Sequence, residues 1–361
     1  MSALRRFLEK RRRMADPLRG LDEQQWLARH AKQTPWAVAV VEPEWRGVYS
    51  STVNLFPTCL PVLDGLTKRS AARIAELIVA TGTSRVVFAE IPPTYLHLLD
   101  ALAQAPRKID VYVTWYNSFM MSSARSWTRL KELKQLVAEK RVRKIGFAKS
   151  GMAEVFRRQN IPASLVLHGV PKVPVGPSVP LAGGPHLGVA AVNLAIWRKL
   201  PFAMLAATTE IPGAVVHVAG GSEQVEDFAR ELQIDARIRR QPVPQAEIAA
   251  HLASMHLNLY VTLSECCPML PLESLAEGTP CLLGPNSHLF DDSAFLHSRL
   301  VVEYPERNEI IAHYIRQALA ERDDIVAAYR RWAPKYWQRV QESLGDFLDM
   351  PGVALDMPIA A

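Results

Sequence analysis

The chain has 361 residues, of which 49% are hydrophobic and 22% charged, with a formal charge of +6. This composition builds a core, suffices for two α/β domains of ordinary size, and excludes an intrinsically disordered chain. The basic balance favours anionic partners: a nucleoside diphosphate, an anionic membrane surface or nucleic acid. None of the four cysteines, Cys59, Cys266, Cys267 and Cys281, stands in a C-x-x-C pair, and no histidines cluster at ligand spacing. Neither a zinc site nor a cofactor is expected, and reduced thiols suit a cytoplasmic setting. No apolar run approaches the roughly 20 residues of a membrane span, and the N-terminus lacks the apolar segment of a secretory signal.

Residues 1–14 set Arg5, Arg6, Lys10, Arg11, Arg12 and Arg13 around Leu4, Phe7, Leu8 and Met14. This is the pattern of an amphipathic basic helix. Peripheral attachment to an anionic inner membrane face is one reading, and a solvated helix packed on its domain is the other.

From Trp36 onward strands and helices alternate. Trp36–Glu42, Arg85–Glu90, Ile109–Trp115, Arg143–Ala148 and Ser164–His168 read as buried strands, being apolar runs bounded by turn or charged residues. Arg69–Ala80, Pro93–Gln104, Ser123–Glu139 and Gly151–Gln159 have helical apolar spacing. The segment Val170–Pro185, with five prolines and three glycines, is the best linker. Alternation then resumes with strands at Leu187–Val192, Ala214–Ala219, Leu257–Thr262, Pro280–Leu283 and Leu300–Glu303. Helices fall at Arg198–Thr209, Ser222–Leu232, Gln245–Ser254, Pro271–Glu277 and Glu306–Ala320. The expected fold is α/β, with two Rossmann-like doubly wound domains, residues 1–178 and residues 179–330. An amphipathic tail, 331–361, is expected to pack back on the first domain.

The chemistry concentrates between Ser264 and Gly284. A strand ends in a loop that opens a helix near Leu270, with Pro271 close to its start and Gly278 close to its end. Such a helix presents unpaired N–H groups and a positive dipole end just past a strand, where a diphosphate belongs. Glu265 and Glu273, separated by seven residues, can accept hydrogen bonds from hydroxyls on either side of that diphosphate.

Glu265 and Glu273, followed by Ser-Leu-Ala-Glu-Gly-Thr-Pro, resemble the E-x7-E signature of glycosyltransferase family 4 and its GT-B relatives. Ala191–Lys199 is similar to the family's phosphate-binding segment, with Asn193 where the family has an arginine and Arg198-Lys199 at the second basic position. The resemblance covers roughly residues 145–302 and fades over the first 110.

What it implies is a GT-B fold with an interdomain cleft, and metal-independent transfer of a sugar from a nucleoside diphosphate with retention. Glu265, Arg198 and Lys199 would be the catalytic residues. Glu265 would hold the donor sugar, Glu273 the ribose, and Ser264, Cys266, Cys267, Met269, Leu270 and Asn193 would complete the donor site. The expected product is a cell-surface glycan or glycolipid. Alternatives are transfer to modified DNA bases, against which stands the absence of any nucleic-acid motif, and a non-catalytic sugar-nucleotide-binding subunit. Were the reaction inverting, a first-domain base such as Glu90 or His97 would be needed.

Trp115, Asn117 and Ser118 follow a strand and are candidates to touch a sugar, with core packing of the aromatic as the competing reading. His288 lies on a loop after a strand and is a candidate for the site's edge, or a plain loop histidine. Asp291-Asp292 reads as helix capping and not as a metal pair.

Overall fold

A computed structural model describes residues 16–31, 35–121, 124–169, 171, 179–190, 197–266, 268–350 and 352. The basic segment 1–14, Asn193 and Cys267 lie outside the described residues. The chain forms two compact units, residues 1–117, 122–169 and 340–355 in one, and 118–121, 170–339 and 356–361 in the other.

The first unit is built on six parallel strands: β1 (Val38–Val41), β2 (Cys59–Pro61), β3 (Arg85–Ala89), β4 (Asp110–Trp115), β5 (Lys144–Phe147) and β6 (Ala163–Leu165), in the order β2-β1-β3-β4-β5-β6. Strand β1, Val-Ala-Val-Val, is buried at every position. A sheet covered on both faces demands such continuous apolar runs. Helices Lys68–Ala80, Leu96–Ala103, Ala124–Ala138 and Met152–Arg157 supply the cover. The first begins in a capping box, Thr67 and Ser70 satisfying each other's backbone N–H.

Two helices, Glu23–His30 and Arg46–Leu55, and the strand β2 are additional to the elements expected from the apolar pattern. The buried face of Arg46–Leu55 is Ser50, Ser51, Thr52 and Leu55, so it shows little apolar periodicity. Strand β2 is a three-residue edge strand ending in proline, which only an edge tolerates.

Five parallel strands form the second unit: β7 (His186–Ala190), β8 (Val215–Ala219), β9 (Ala236–Arg239), β10 (Leu257–Tyr260) and β11 (Cys281–Leu283), in the order β11-β10-β7-β8-β9. The edge strand β9, Ala-Arg-Ile-Arg, alternates half-buried with exposed residues and was hidden by its charges. The strand expected at Leu300–Glu303 does not form. Leu300 ends a helix, Ala294–Leu300, and only an isolated bridge joins Val301 to Leu283. That helix is capped by Ser293, whose side chain accepts from Leu296 N–H, and not by Asp291 or Asp292.

A 26-residue helix, Arg322–Phe347, contributes to both units, through Arg339 to the second and from Val340 to the first. In the second unit Trp332 stacks on Tyr336 at 4.5 Å and tilts against Phe290 at 4.8 Å. In the first, Tyr112 donates to the Leu348 carbonyl (3.2 Å) and Lys144 to that of Asp346 (2.6 Å). Among the described residues no helix is long and apolar enough to cross a membrane.

Candidate functional site

Each sheet reverses its strand order once, and open α/β sheets bind ligands beyond the carboxyl ends of the strands at that reversal. In the second unit the reversal lies between β7 and β10. The chain past β7 makes a tight turn, Trp197–Lys199, and a helix follows at Pro201–Thr208 after Leu200, held at φ 48°. The chain past β10 runs from Val261 through Glu265 to a helix at Met269–Ala276. The two loops are tied together where Leu263 N–H donates to the Arg198 carbonyl (2.7 Å).

This brings Arg198, Lys199, Tyr260, Ser264 and Glu265 into one cluster. Arg198 Nη1 donates to the Ser264 carbonyl (2.6 Å) and to Glu265 Oε1 (2.8 Å). Lys199 Nζ donates to the same Oε1 and to the Tyr260 hydroxyl. The Tyr260 hydroxyl in turn donates to Oε1 (3.1 Å). Three donors, two of them cationic, therefore meet on one carboxylate oxygen. Burial lowers the Lys199 pKa, although Glu265 pulls it up, and raises that of Tyr260 well above the phenol range.

The helix Met269–Ala276 opens at this cluster. Its N-cap, Pro268, makes no side-chain cap, and Pro268 and Pro271 have no N–H. The N–H groups of Met269 and Leu270 are what its first turn has to offer an anion. The helix is fixed to the sheet by Ser274, fully buried, which accepts from Asn258 Nδ2 (2.8 Å) and donates to the Thr279 carbonyl (2.7 Å). It ends at Gly278, whose φ of 76° only glycine adopts without strain. Glu273 stands half-buried on the second turn, and Cys266 is buried between Glu265 and the helix.

The remaining candidates are placed as follows. Ser118, grouped with the second unit, shares a hydrogen bond with Ser264 (Oγ to Oγ, 3.4 Å). His288 is 7% exposed, with Nε2 3.2 Å from the Tyr336 hydroxyl and its ring stacked on the tyrosine. Asp292 accepts from Trp332 Nε1 (2.8 Å) and Arg339 (2.6 Å); burial opposes its ionisation, but these bonds outweigh it and lower the pKa. Trp115 is 2% exposed within the first unit's apolar core.

At the reversal of the first sheet, between β1 and β3, the chain places two buried carboxyls that the spacing of motifs did not single out as a pair. Val41 pairs with Ala89, so Glu42 and Glu90 follow at adjacent positions. Glu42 accepts from Glu44 N–H (3.2 Å) and from Asp64 N–H, and burial raises its pKa. Glu90 has φ 66°, takes the Tyr116 N–H (2.5 Å) and the Asn117 amide (3.4 Å) on Oε1, and burial lifts its pKa to about 7. Beside them Ser51 Oγ lies 3.1 Å from His168 Nδ1 and 3.3 Å from the Tyr116 hydroxyl, and Tyr116 stacks on His168. A strained left-handed glutamate with a buried carboxyl is invisible to motif spacing. It shows only in the backbone.

No protein-family model and no curated protein matches the chain. Solved structures do match. A glycosyltransferase from Rickettsia africae ESF-5 aligns over 87% of this chain and 95% of its own, at 12% identity and a TM-score of 0.59. The lipopolysaccharide outer core galactosyltransferase WaaB aligns over 87% and 99%, at 12% identity and 0.55. A structure described as trehalose-6-phosphate from E. coli bound with UDP-2-fluoro glucose aligns over 78% and 77%, at 14% identity and 0.52. Its structural neighbours are GT-B glycosyltransferases. At these identities the likeness is one of fold, and the two parallel-sheet, Rossmann-like units are the GT-B architecture.

Proposed function

We propose that the chain is a glycosyltransferase that moves a hexose from a nucleoside diphosphate to a hydroxyl-bearing acceptor, with retention and without a metal, in cell-surface glycan or glycolipid synthesis. The observation that carries the reading is the cluster at the second unit's reversal: Arg198 and Lys199 against Glu265, beside the N-terminus of Met269–Ala276. A cation and the first-turn N–H groups of Met269 and Leu270 would face a diphosphate, and they would stabilise charge that develops on it as the anomeric C–O bond breaks. A carboxylate beside them accepts hydrogen bonds from sugar hydroxyls. Glu265 would orient the sugar and Glu273 the ribose, with Ser264, Cys266, Met269 and Leu270 lining the donor. Ser118, which shares a hydrogen bond with Ser264, would serve a hydroxyl of the donor sugar. The UDP-2-fluoro glucose of one structural neighbour and the lipopolysaccharide role in the name of another support this donor class and this product class.

The test is a melting-temperature screen of UDP-, GDP- and dTDP-sugars, followed by donor hydrolysis and transfer assays on the wild type and Glu265→Ala. A ligand at a hundred times its Kd stabilises the fold by about 2.7 kcal/mol, a shift of several degrees. A positive screen with turnover lost in Glu265→Ala supports the reading. No shift with any sugar nucleotide refutes it, and binding with equally negligible turnover in both proteins would make the chain a sugar-nucleotide-binding subunit.

A further inference from the structure

The two adjacent cations at the donor cluster are held in different ways. Lys199 is 7% exposed, and its ammonium meets the Glu265 carboxylate, the Tyr260 hydroxyl and the face of the Tyr260 ring, 4.5 Å from the ring centre. Groups of the chain itself surround the charge. An ammonium is a compact point charge with three donors, and turning one of them outward would leave Glu265 or Tyr260 short of a partner in a buried place.

Arg198 is anchored through a single nitrogen. Both of its hydrogen bonds leave from Nη1, to the Ser264 carbonyl and to Glu265 Oε1. Among the described residues no hydrogen bond or ion pair uses its Nη2 or Nε. A guanidinium is a rigid planar fork, so fixing Nη1 also fixes the direction of the other N–H groups, which suit two oxygens of a phosphate. Glu265 repeats the asymmetry. Oε1 takes Arg198, Lys199 and Tyr260, and among the described residues no hydrogen bond reaches Oε2. A carboxylate with one oxygen saturated and the other open has one direction left in which to accept.

We propose that Arg198 alone of the two cations meets the diphosphate, and that Lys199 and Tyr260 are positioning residues that turn Glu265 Oε2 toward the donor sugar. The division rests on the donor-site reading above. It assigns Tyr260 a part in sugar recognition, and it takes from Lys199 the phosphate contact that its place beside Arg198 suggests.

Calorimetric titration of the full chain separates the two duties. The probes are the free nucleoside diphosphates UDP, GDP and dTDP, and the nucleotide sugar that most raises the wild-type melting temperature. Arg198→Gln is expected to weaken the free diphosphate by about tenfold or more. Lys199→Met and Tyr260→Phe are expected to leave the free diphosphate within about threefold of wild type. In both, the ratio of nucleotide-sugar to free-nucleotide affinity is expected to fall by about fivefold or more. Tyr260→Phe keeps the ring and removes only the hydroxyl, so it reports on Glu265 even where Lys199→Met fails to fold.

The division is overturned if Lys199→Met weakens the free diphosphate as much as Arg198→Gln does. It is also overturned if the nucleotide-sugar ratio is untouched in Tyr260→Phe, or if the wild type shows no preference for a nucleotide sugar over the free nucleotide. Wild type that binds no nucleoside diphosphate at all refutes the donor-site reading itself.

Discussion

Replacing Glu265 by alanine removes the one carboxylate on which two enclosed cations converge. The side chains of Arg198, Lys199 and Glu265 are 16%, 9% and 12% exposed, so little water is at hand to replace the lost partner. Breaking a buried ion pair from one side costs about 3–5 kcal/mol, because the other charge is left uncompensated. Arg198 keeps the Ser264 carbonyl and is the more exposed of the two cations, so most of the penalty falls on Lys199. The lower end, about 3 kcal/mol, is the expected loss of stability at pH 7.

The pH dependence identifies the cause. Burial already lowers the Lys199 pKa, and loss of Glu265 removes the group that pulls it back up. An unfolded lysine titrates near 10.4. Between the depressed folded pKa and that value the unfolded chain binds the extra proton, so stability rises with pH. Glu265→Ala is therefore expected to regain stability between neutral pH and about pH 10, faster than wild type. Adding Lys199→Met removes the unpaired charge and is expected to restore about half the loss at pH 7 or more. Urea unfolding, followed separately for each transition, measures all three proteins. A loss below about 1 kcal/mol in Glu265→Ala, or strict additivity in the double variant, would refute the assignment of a mutually dependent cluster.

At the opposite end of the second sheet, His186 and His217 share a hydrogen bond (2.9 Å) and His186 stacks on His256. Burial first, then the neighbouring His186, lowers the His217 pKa to about 4. Below the ordinary histidine value the unfolded chain takes the extra proton, so stability should fall between pH 6.5 and 4, by about 1 kcal/mol once solvent screening of this half-exposed ring is allowed for. His217→Asn is expected to flatten that part of the urea-midpoint profile. For Glu90, a folded pKa of about 7 lies above the unfolded value, so wild-type stability should drop as pH rises from 4.5 through 7. Glu90→Gln is expected to lose this dependence and gain up to about 3 kcal/mol at pH 8.5; identical profiles would refute the buried carboxyl. Gly146→Ala would set a methyl 2.9 Å from the Phe347 ring and 2.5 Å from Val166. The expected cost is about 2 kcal/mol, read as a lower midpoint for the first unit's transition.

The sheet interiors were legible because strands buried on both faces must be unbroken apolar runs, and Val38–Val41 and Val86–Ala89 are such runs. What escaped lies where that constraint relaxes. Strand β9 sits on an edge with arginines turned to solvent, and Arg46–Leu55 packs through serine and threonine hydroxyls that no hydropathy pattern records. Leu300–Glu303 looks like a strand for the converse reason: its apolar residues are buried, but as a helix end and a single bridge. In the second unit's cluster, the family resemblance pointed to Glu265, Arg198 and Lys199 separately. Their meeting on one oxygen depends on the reversal that sets β7 beside β10, joining residues 66 and 67 apart in sequence. Tyr260 carried no signal because an aromatic at a strand end is what any strand offers.

Along the central strands β1 and β3 the residues leading to the carboxyl end are apolar and buried, and an ionisable side chain first appears just past the last paired residue. At the reversal the flanking loops diverge to opposite faces, and the crevice between them lets a charged group meet a ligand. In the first unit that position holds Glu90 and Glu42, and in the second the turn and loop there hold Arg198, Lys199 and Glu265. The same burial that makes these places suitable for ligands pushes each group toward neutrality, Glu90 upward and Lys199 downward. What prevents the loss of charge in the second unit is the carboxylate beside the ammonium; in the first, the second group is another carboxyl. The first unit's reversal is therefore suited to accepting hydrogen bonds from neutral hydroxyls, and the second's to meeting an anion. That difference, fixed by which residues follow β3 and β7, supports the proposal that the diphosphate binds in the second unit.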